Sequence, residues 1–169
     1  WGLNYYRLPF SDIAGLDVSQ PPSIEDLEAL CRSLIEQANR LRGTLEEDSN
    51  GVMRLKEARS NVFATASKGF EKASIIYPEL GGNYGKPKKV FLSELMSYAG
   101  IMGIYFPFTG EANVNYTIPD YMLPSTISHE MAHQHGFARE DEANYIAYLT
   151  TILHPNTDFQ YSGTLLALI

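Results

Sequence analysis

The chain has 169 residues, 44% of them apolar and 20% charged, which is the size and make-up of one globular domain with room for a substantial core. Its 13 Lys and Arg against 20 Asp and Glu leave a formal charge of −7, so no nucleic acid partner is expected, because binding a phosphate backbone needs an excess of cations. The lone cysteine, Cys31, excludes an internal disulfide and a thiolate metal cage built from this chain alone, so any metal must be held by His and carboxylates.

Trp1 opens a segment with no basic start and apolar run, and no stretch approaches the roughly 18 apolar residues of a membrane span. Residues 164–169 form an apolar run without a stop signal, and the chain reads as a piece of a longer protein. Residues 1–22 are aromatic and broken by Pro9, Gly15, Pro21 and Pro22, an irregular lead-in draped over the domain. Ser23, followed by Glu25 and Asp26, caps a predicted amphipathic helix, with Ile24, Leu27, Leu30, Leu34, Ala38 and Leu41 at helical spacing up to Gly43. Cys31 sits beside these apolar positions, so a buried, inert thiol is expected.

A second helical stretch is predicted over residues 52–77, weakened at Gly69 and closed before Pro78. From Lys88 onward, residues 90–92, 103–108 and 112–116 read as short strands, with Thr109-Gly110 a turn and Pro107 suited to an edge. Lys86, Lys88 and Lys89 read as a solvated turn. Residues 127–135 and 140–153 then read as helices joined at Gly136, the second closed by His154-Pro155. The fold class is α+β in one domain: an irregular lead-in (1–22), a helical part (23–87) and a sheet with two helices (88–169), the N-terminal helices packing on the sheet.

The chemistry lies in Ser128-His129-Glu130-Met131-Ala132-His133-Gln134-His135-Gly136 and the following Glu140-Asp141-Glu142-Ala143-Asn144. On a helix, His129 and His133 share a face and both imidazoles can reach one ion, while Glu130 lies one step round. A carboxylate there can take a proton from a metal-bound water, whose pKa zinc lowers toward about 7. Hydrolytic zinc takes three protein ligands, and Glu140, Asp141, Glu142 and His135 are candidates for the third. His135, two residues past His133, points to another side of its helix. A left-handed Gly136 can fold the next helix back across the first, where Glu140, Ala143 and Asn144 share one face and Glu142 points away. Glu140 is the favoured ligand, with Asn144 able to orient a ligating His.

H-E-x-x-H followed by E-x-x-A-N resembles the glutamate zincins, or gluzincins. By that likeness His129, His133 and Glu140 bind zinc, Glu130 is the catalytic base, and Asn144 falls where these enzymes often carry Asp. The metzincin pattern fails, because Arg139 stands at its third His position and cannot bind zinc. The longer run from G-I-Y-F-P-F-T-G-E-A-N-V-N through H-E-M-A-H-Q-H-G-F-A-R-E-D-E-A-N closely resembles a bacterial family known as domain of unknown function 3810 and regarded as zinc metallopeptidases, densely over residues 88–153. That resemblance implies a membrane-anchored parent with this part outside the cytoplasm.

In zincins generally, a strand edge ahead of the active-site helix pairs with extended substrate, and Gly110, Glu111, Ala112 and Asn113, continuing to Asn115, are candidates for that rim. An ordinary core strand is the competing reading. An oxyanion donor could come from Tyr145, Tyr148, Tyr161, Arg139 or His154, among which the sequence does not choose. The expectation is therefore a zinc-dependent peptidase acting on a peptide or protein substrate. The alternatives are a non-catalytic zinc-binding ectodomain with the same ligands, and a structural ectodomain in which the motif is accidental.

Overall fold

Residues 4 and 6–169 are described by a computed structural model; Trp1, Gly2, Leu3 and Tyr5 of the aromatic lead-in lie outside the described residues. The lead-in carries one helical turn, α1 (Phe10–Ile13), and docks through Phe10, which is buried edge-on against Tyr77 and Phe137. Next comes α2 (Ile24–Arg42), started by a capping box in which Ser23 Oγ accepts from the Asp26 N–H at 3.1 Å and Asp26 accepts from the Ser23 N–H at 3.3 Å. Two residue pairs, β1 (Glu46–Glu47) and β2 (Met53–Arg54), then form a hairpin where the sequence predicted the second helix to begin. The Asp48 carboxylate causes this, accepting the N–H groups of Asn50 and Val52 and pairing with Arg54, which ties residues 48–54 into a turn. The helical stretch starts only at α3 (Arg59–Thr65), continues as α4 (Ser67–Ala73), and gives way to a 3-10 turn at Pro78–Leu80.

The sheet has three strands in the order β3-β5-β4, with β3 (Lys88–Lys89) parallel to β5 (Glu111–Val114) and β4 (Gly103–Phe106) antiparallel to it. Lys88 and Lys89 are thus strand residues rather than a solvated turn, Lys88 pairing with Glu111 across the ladder. The strand expected at 90–92 ends at once. Ser93 Oγ donates to the Val90 carbonyl and accepts from the Tyr116 N–H, turning the chain into α5 (Ser93–Tyr98). Gly110, at φ +67°, makes the β4–β5 turn.

After the sheet come α6 (Leu123–Gln134), α7 (Glu140–Leu153) and α8 (Thr157–Leu166). Helix α6 begins four residues earlier than the apolar pattern suggested, with Pro124 in its first turn, where a missing N–H costs nothing. Helix α8 was not predicted; Asn156 starts it by accepting from the Asp158 N–H at 2.8 Å. Among the described residues no helix is long and apolar enough to cross a membrane.

The fold is α+β, but its layers differ from the expected arrangement. The sheet lies against α6, while the N-terminal helices pack on other helices: α2 on α8, α3 on α6, and α4 on α7. Helix α2 buries only Leu34 and Ala38, which leaves Ile24, Leu27, Leu30 and Ile35 exposed and Cys31 exposed with them, not buried as expected. Gly69 is explained by packing, since a Cβ there would overlap the Thr150 carbonyl oxygen where α4 meets α7. Gly69→Ala is expected to force the two helices apart and cost about 1–3 kcal/mol, readable as a lower urea midpoint.

His154 closes α7 in a neutral state enforced by its partners. Its Nε2–H donates to the Thr65 carbonyl at 3.0 Å, its Nδ1 accepts from the Asn156 N–H at 3.1 Å, and its ring stacks on Phe159. Burial, the largest cause, holds its pKa below the usual histidine value. The unfolded chain therefore takes up this proton first, and the contribution is complete above about pH 6.5 and is lost as pH falls through the folded-state value. His154→Gln is expected to flatten that part of the stability loss between pH 7 and pH 5, as measured by urea unfolding of the metal-free protein.

Candidate metal centre

The two histidines arrive one helical turn apart on α6, and the left-handed Gly136, at φ +97°, reverses the chain so that α7 crosses beside them. Glu140 is the first residue of α7 and its carboxylate reaches both rings: Oε2 lies 3.2 Å from His129 Nε2, and Oε1 lies 3.5 Å from His133 Nε2. The two Nε2 atoms are 3.1 Å apart. Donors at about 2.1 Å from the centre of a tetrahedron are about 3.4 Å apart, so these separations suit a single small cation. His129, His133 and Glu140 form a group that could hold a metal ion.

The remaining ring nitrogens face acceptors, which sets the tautomers that present both Nε2 atoms toward Glu140 as candidate ligands. His129 Nδ1 donates to Asn144 Oδ1 at 2.9 Å, and His133 Nδ1 donates to the Phe137 carbonyl at 2.7 Å. Burial above all, and then neighbouring His133, lowers the His129 pKa, which favours the neutral, ligating imidazole.

Glu130 is buried at 6% exposure beside the triad. It accepts a hydrogen bond from the Tyr105 N–H on β4, while Oε2 is buried with no hydrogen-bond partner. Burial, and next the Glu140 carboxylate, push its pKa up to about 8. A cation at the triad would offset the second of these causes. The carboxylate also fills the space in front of Gly103, where any Cβ would overlap Oε1.

Glu142 and His135 do different work. Glu142 Oε1 accepts from the Phe10 N–H at 2.8 Å at the start of α1, and His135 lies between the rings of Phe70 and Tyr84. Gly110, Glu111, Ala112 and Asn113 do not form the open rim the sequence suggested. Gly110 lies in the turn before β5, and β5 is central, paired on both sides; the Gly110 carbonyl accepts from Gln134, Glu111 pairs with Lys88, and Ala112 is fully buried. Asn115 is buried too, and its amide donates to Ser97 Oγ and the Ile101 carbonyl. The edge strand facing the triad is instead β4.

A cavity of about 540 Å³ opens over His129, Glu130, His133 and Glu140, with β4 as one wall. None of Tyr145, Tyr148, Tyr161, Arg139 or His154 lines it; the tyrosines that do are Tyr105 and Tyr121. The sequence reading missed these two, together with Gly103 and the Phe137 carbonyl. Gly103 could have been flagged as a glycine inside a strand pattern, which marks a close approach; Tyr121 and a main-chain acceptor leave no such signal.

A mixed α+β chain carrying a three-residue candidate metal group is the class that fold and site define. A family model described as "Protein of unknown function (DUF3810)" matches residues 1–169, and the chain belongs to that family. No curated protein and no solved structure matches it.

Proposed function

We propose that this chain is a zinc metallopeptidase with a zincin-like arrangement, hydrolysing peptide bonds at the His129, His133, Glu140 centre. The observation that carries the reading is the tetrahedral spacing of three donors next to a buried carboxylate with an unsatisfied oxygen. When bound, zinc would supply a Lewis acid for the scissile carbonyl and acidify a coordinated water. Glu130 Oε2 accepts the proton of the attacking water and returns it to the leaving amine, held in aim by the Tyr105 N–H. Asn144 and the Phe137 carbonyl keep the two imidazoles in the ligating tautomer. The edge of β4 offers main-chain groups to an extended substrate strand, a form of recognition that tolerates many sequences.

Digestion of a mixed-sequence peptide library by the zinc-loaded protein tests this. Products are expected that disappear with a chelator and return with added zinc. Stoichiometric zinc without any product would instead support the non-catalytic zinc-binding reading, and failure to retain zinc would make the motif accidental.

A further inference from the structure

The reversal between α6 and α7 carries two parts of the metal centre: the Phe137 carbonyl, which receives His133 Nδ1 at 2.7 Å, and Glu140 at the start of α7. Its pivot, Gly136, sits at φ +97° and has no side chain with which to fix itself. The fixing group comes from the lead-in. Arg7 Nη1 donates to the His135 carbonyl at 2.5 Å, and the guanidinium carbon stands 4.1 Å from the centre of the Phe137 ring, so one side chain grips the residues on both sides of the glycine. It uses the room the glycine leaves, since a Cβ on Gly136 would come to 2.9 Å from Arg7 Nη1. Arg7 is anchored in turn, its Nη2 donating to the Glu79 carbonyl at 3.3 Å in the 3-10 turn.

Among the described residues, the backbone-to-backbone hydrogen bonds of residues 4–22 all run within that stretch, so no paired strand carries Arg7 to the turn; its own side chain makes the connection. A cation at the last carbonyls of α6 also meets the negative end of that helix. Phe137 is buried at 1% exposure, with Phe10 edge-on to its ring at 5.5 Å and the Arg7 guanidinium over it. With its ring clamped, Phe137 keeps its carbonyl aimed at His133. That aim decides where the other ring nitrogen points: His133 Nε2 lies 3.1 Å from His129 Nε2 and 3.5 Å from Glu140 Oε1. Accepting the zinc-binding part of the reading above, on which this rests, we propose that Arg7 is a positioning residue of the metal centre, acting through Phe137 to hold His133 in its ligating orientation.

Zinc affinity, read by competition with a chelating dye, tests this without any turnover. Arg7→Ala is expected to raise the zinc dissociation constant about 10–100-fold, the range found for groups that orient metal ligands. Arg7→Lys is expected to recover only part of the loss, because an ammonium can bond the His135 carbonyl but has no flat face to lay on Phe137. Glu142→Ala is the control: it frees the Phe10 N–H and loosens the lead-in without touching Arg7, so it should lower the urea midpoint and leave zinc affinity alone. In the metal-free protein, proton NMR should show a His133 Nδ1–H signal that broadens by exchange with water in Arg7→Ala and not in Glu142→Ala. Unchanged zinc affinity in Arg7→Ala, an unaltered His133 signal, or equal affinity losses in Arg7→Ala and Glu142→Ala would each overturn the positioning role. The peptidase reading fails separately: a parent protein that binds zinc and cleaves nothing overturns it while these affinities still decide Arg7, and one that binds no zinc overturns both.

Discussion

Glu130→Gln is expected to retain zinc at full stoichiometry while peptide cleavage falls by about 10²–10⁴-fold, the range that a positioned general base contributes. The amide keeps the shape and can still accept from the Tyr105 N–H, so packing against β4 survives, but it cannot take a proton. Zinc content by mass spectrometry and initial rates on one library-derived peptide decide the outcome; an unchanged rate would remove Glu130 from the mechanism. Gly103→Ala separates position from chemistry. Its Cβ overlaps Glu130 Oε1, so the carboxylate must move while the carboxyl group itself and the three metal donors are kept. The expected result is a large loss of kcat with little change in zinc affinity, since a displacement of about 1 Å costs about 10²-fold.

Replacing Glu140 and Glu142 separately is expected to give opposite phenotypes. Glu140→Ala removes one of three donors around the candidate cation and should weaken zinc binding by more than about 100-fold, because even groups that only orient ligands are worth 10–100-fold. Its side chain is 76% exposed, so folding of the metal-free protein should hardly change. Glu142→Ala should leave zinc binding intact and cost about 1–2 kcal/mol of stability, because Glu142 Oε1 holds the Phe10 N–H and with it the docking of α1. Competition with a zinc-binding dye and parallel urea melts read both quantities. Zinc affinity lost with Glu142 and kept without Glu140 would refute the ligand assignment.

Those two acids also show how far local pattern carries. Helical periodicity put Glu140 and Asn144 on one face and Glu142 on another, and the geometry follows that division: Glu140 and Asn144 reach the imidazoles, and Glu142 turns to α1. The left-handed Gly136 was equally legible, because so few residue types adopt that conformation at a helix end. Where a side chain competed with the local pattern, the reading failed. Asp48 gathered two N–H groups and made a hairpin of what looked like a helix start, and Ser93 bent an aromatic stretch into α5 rather than extending a strand.

Alternating residues 111–114 look the same in a central strand as in an edge strand, so nothing in them told that β5 would be paired on both sides. Cys31 was misplaced for a related reason. An apolar stripe predicts that a helix has a face to bury, not how much of that face a partner will cover.

From sequence alone came the α+β class, the helix carrying His129 and His133, the Gly136 reversal and the placement of Glu140 opposite them, all features set by spacing within a few residues. Tertiary structure decided which strand edge faces the centre, how Gly103 and the Tyr105 N–H seat Glu130, and that α8 joins the lining of the cavity. These depend on contacts between residues distant in the chain, whose energies come from shape and burial and are not written in any local pattern.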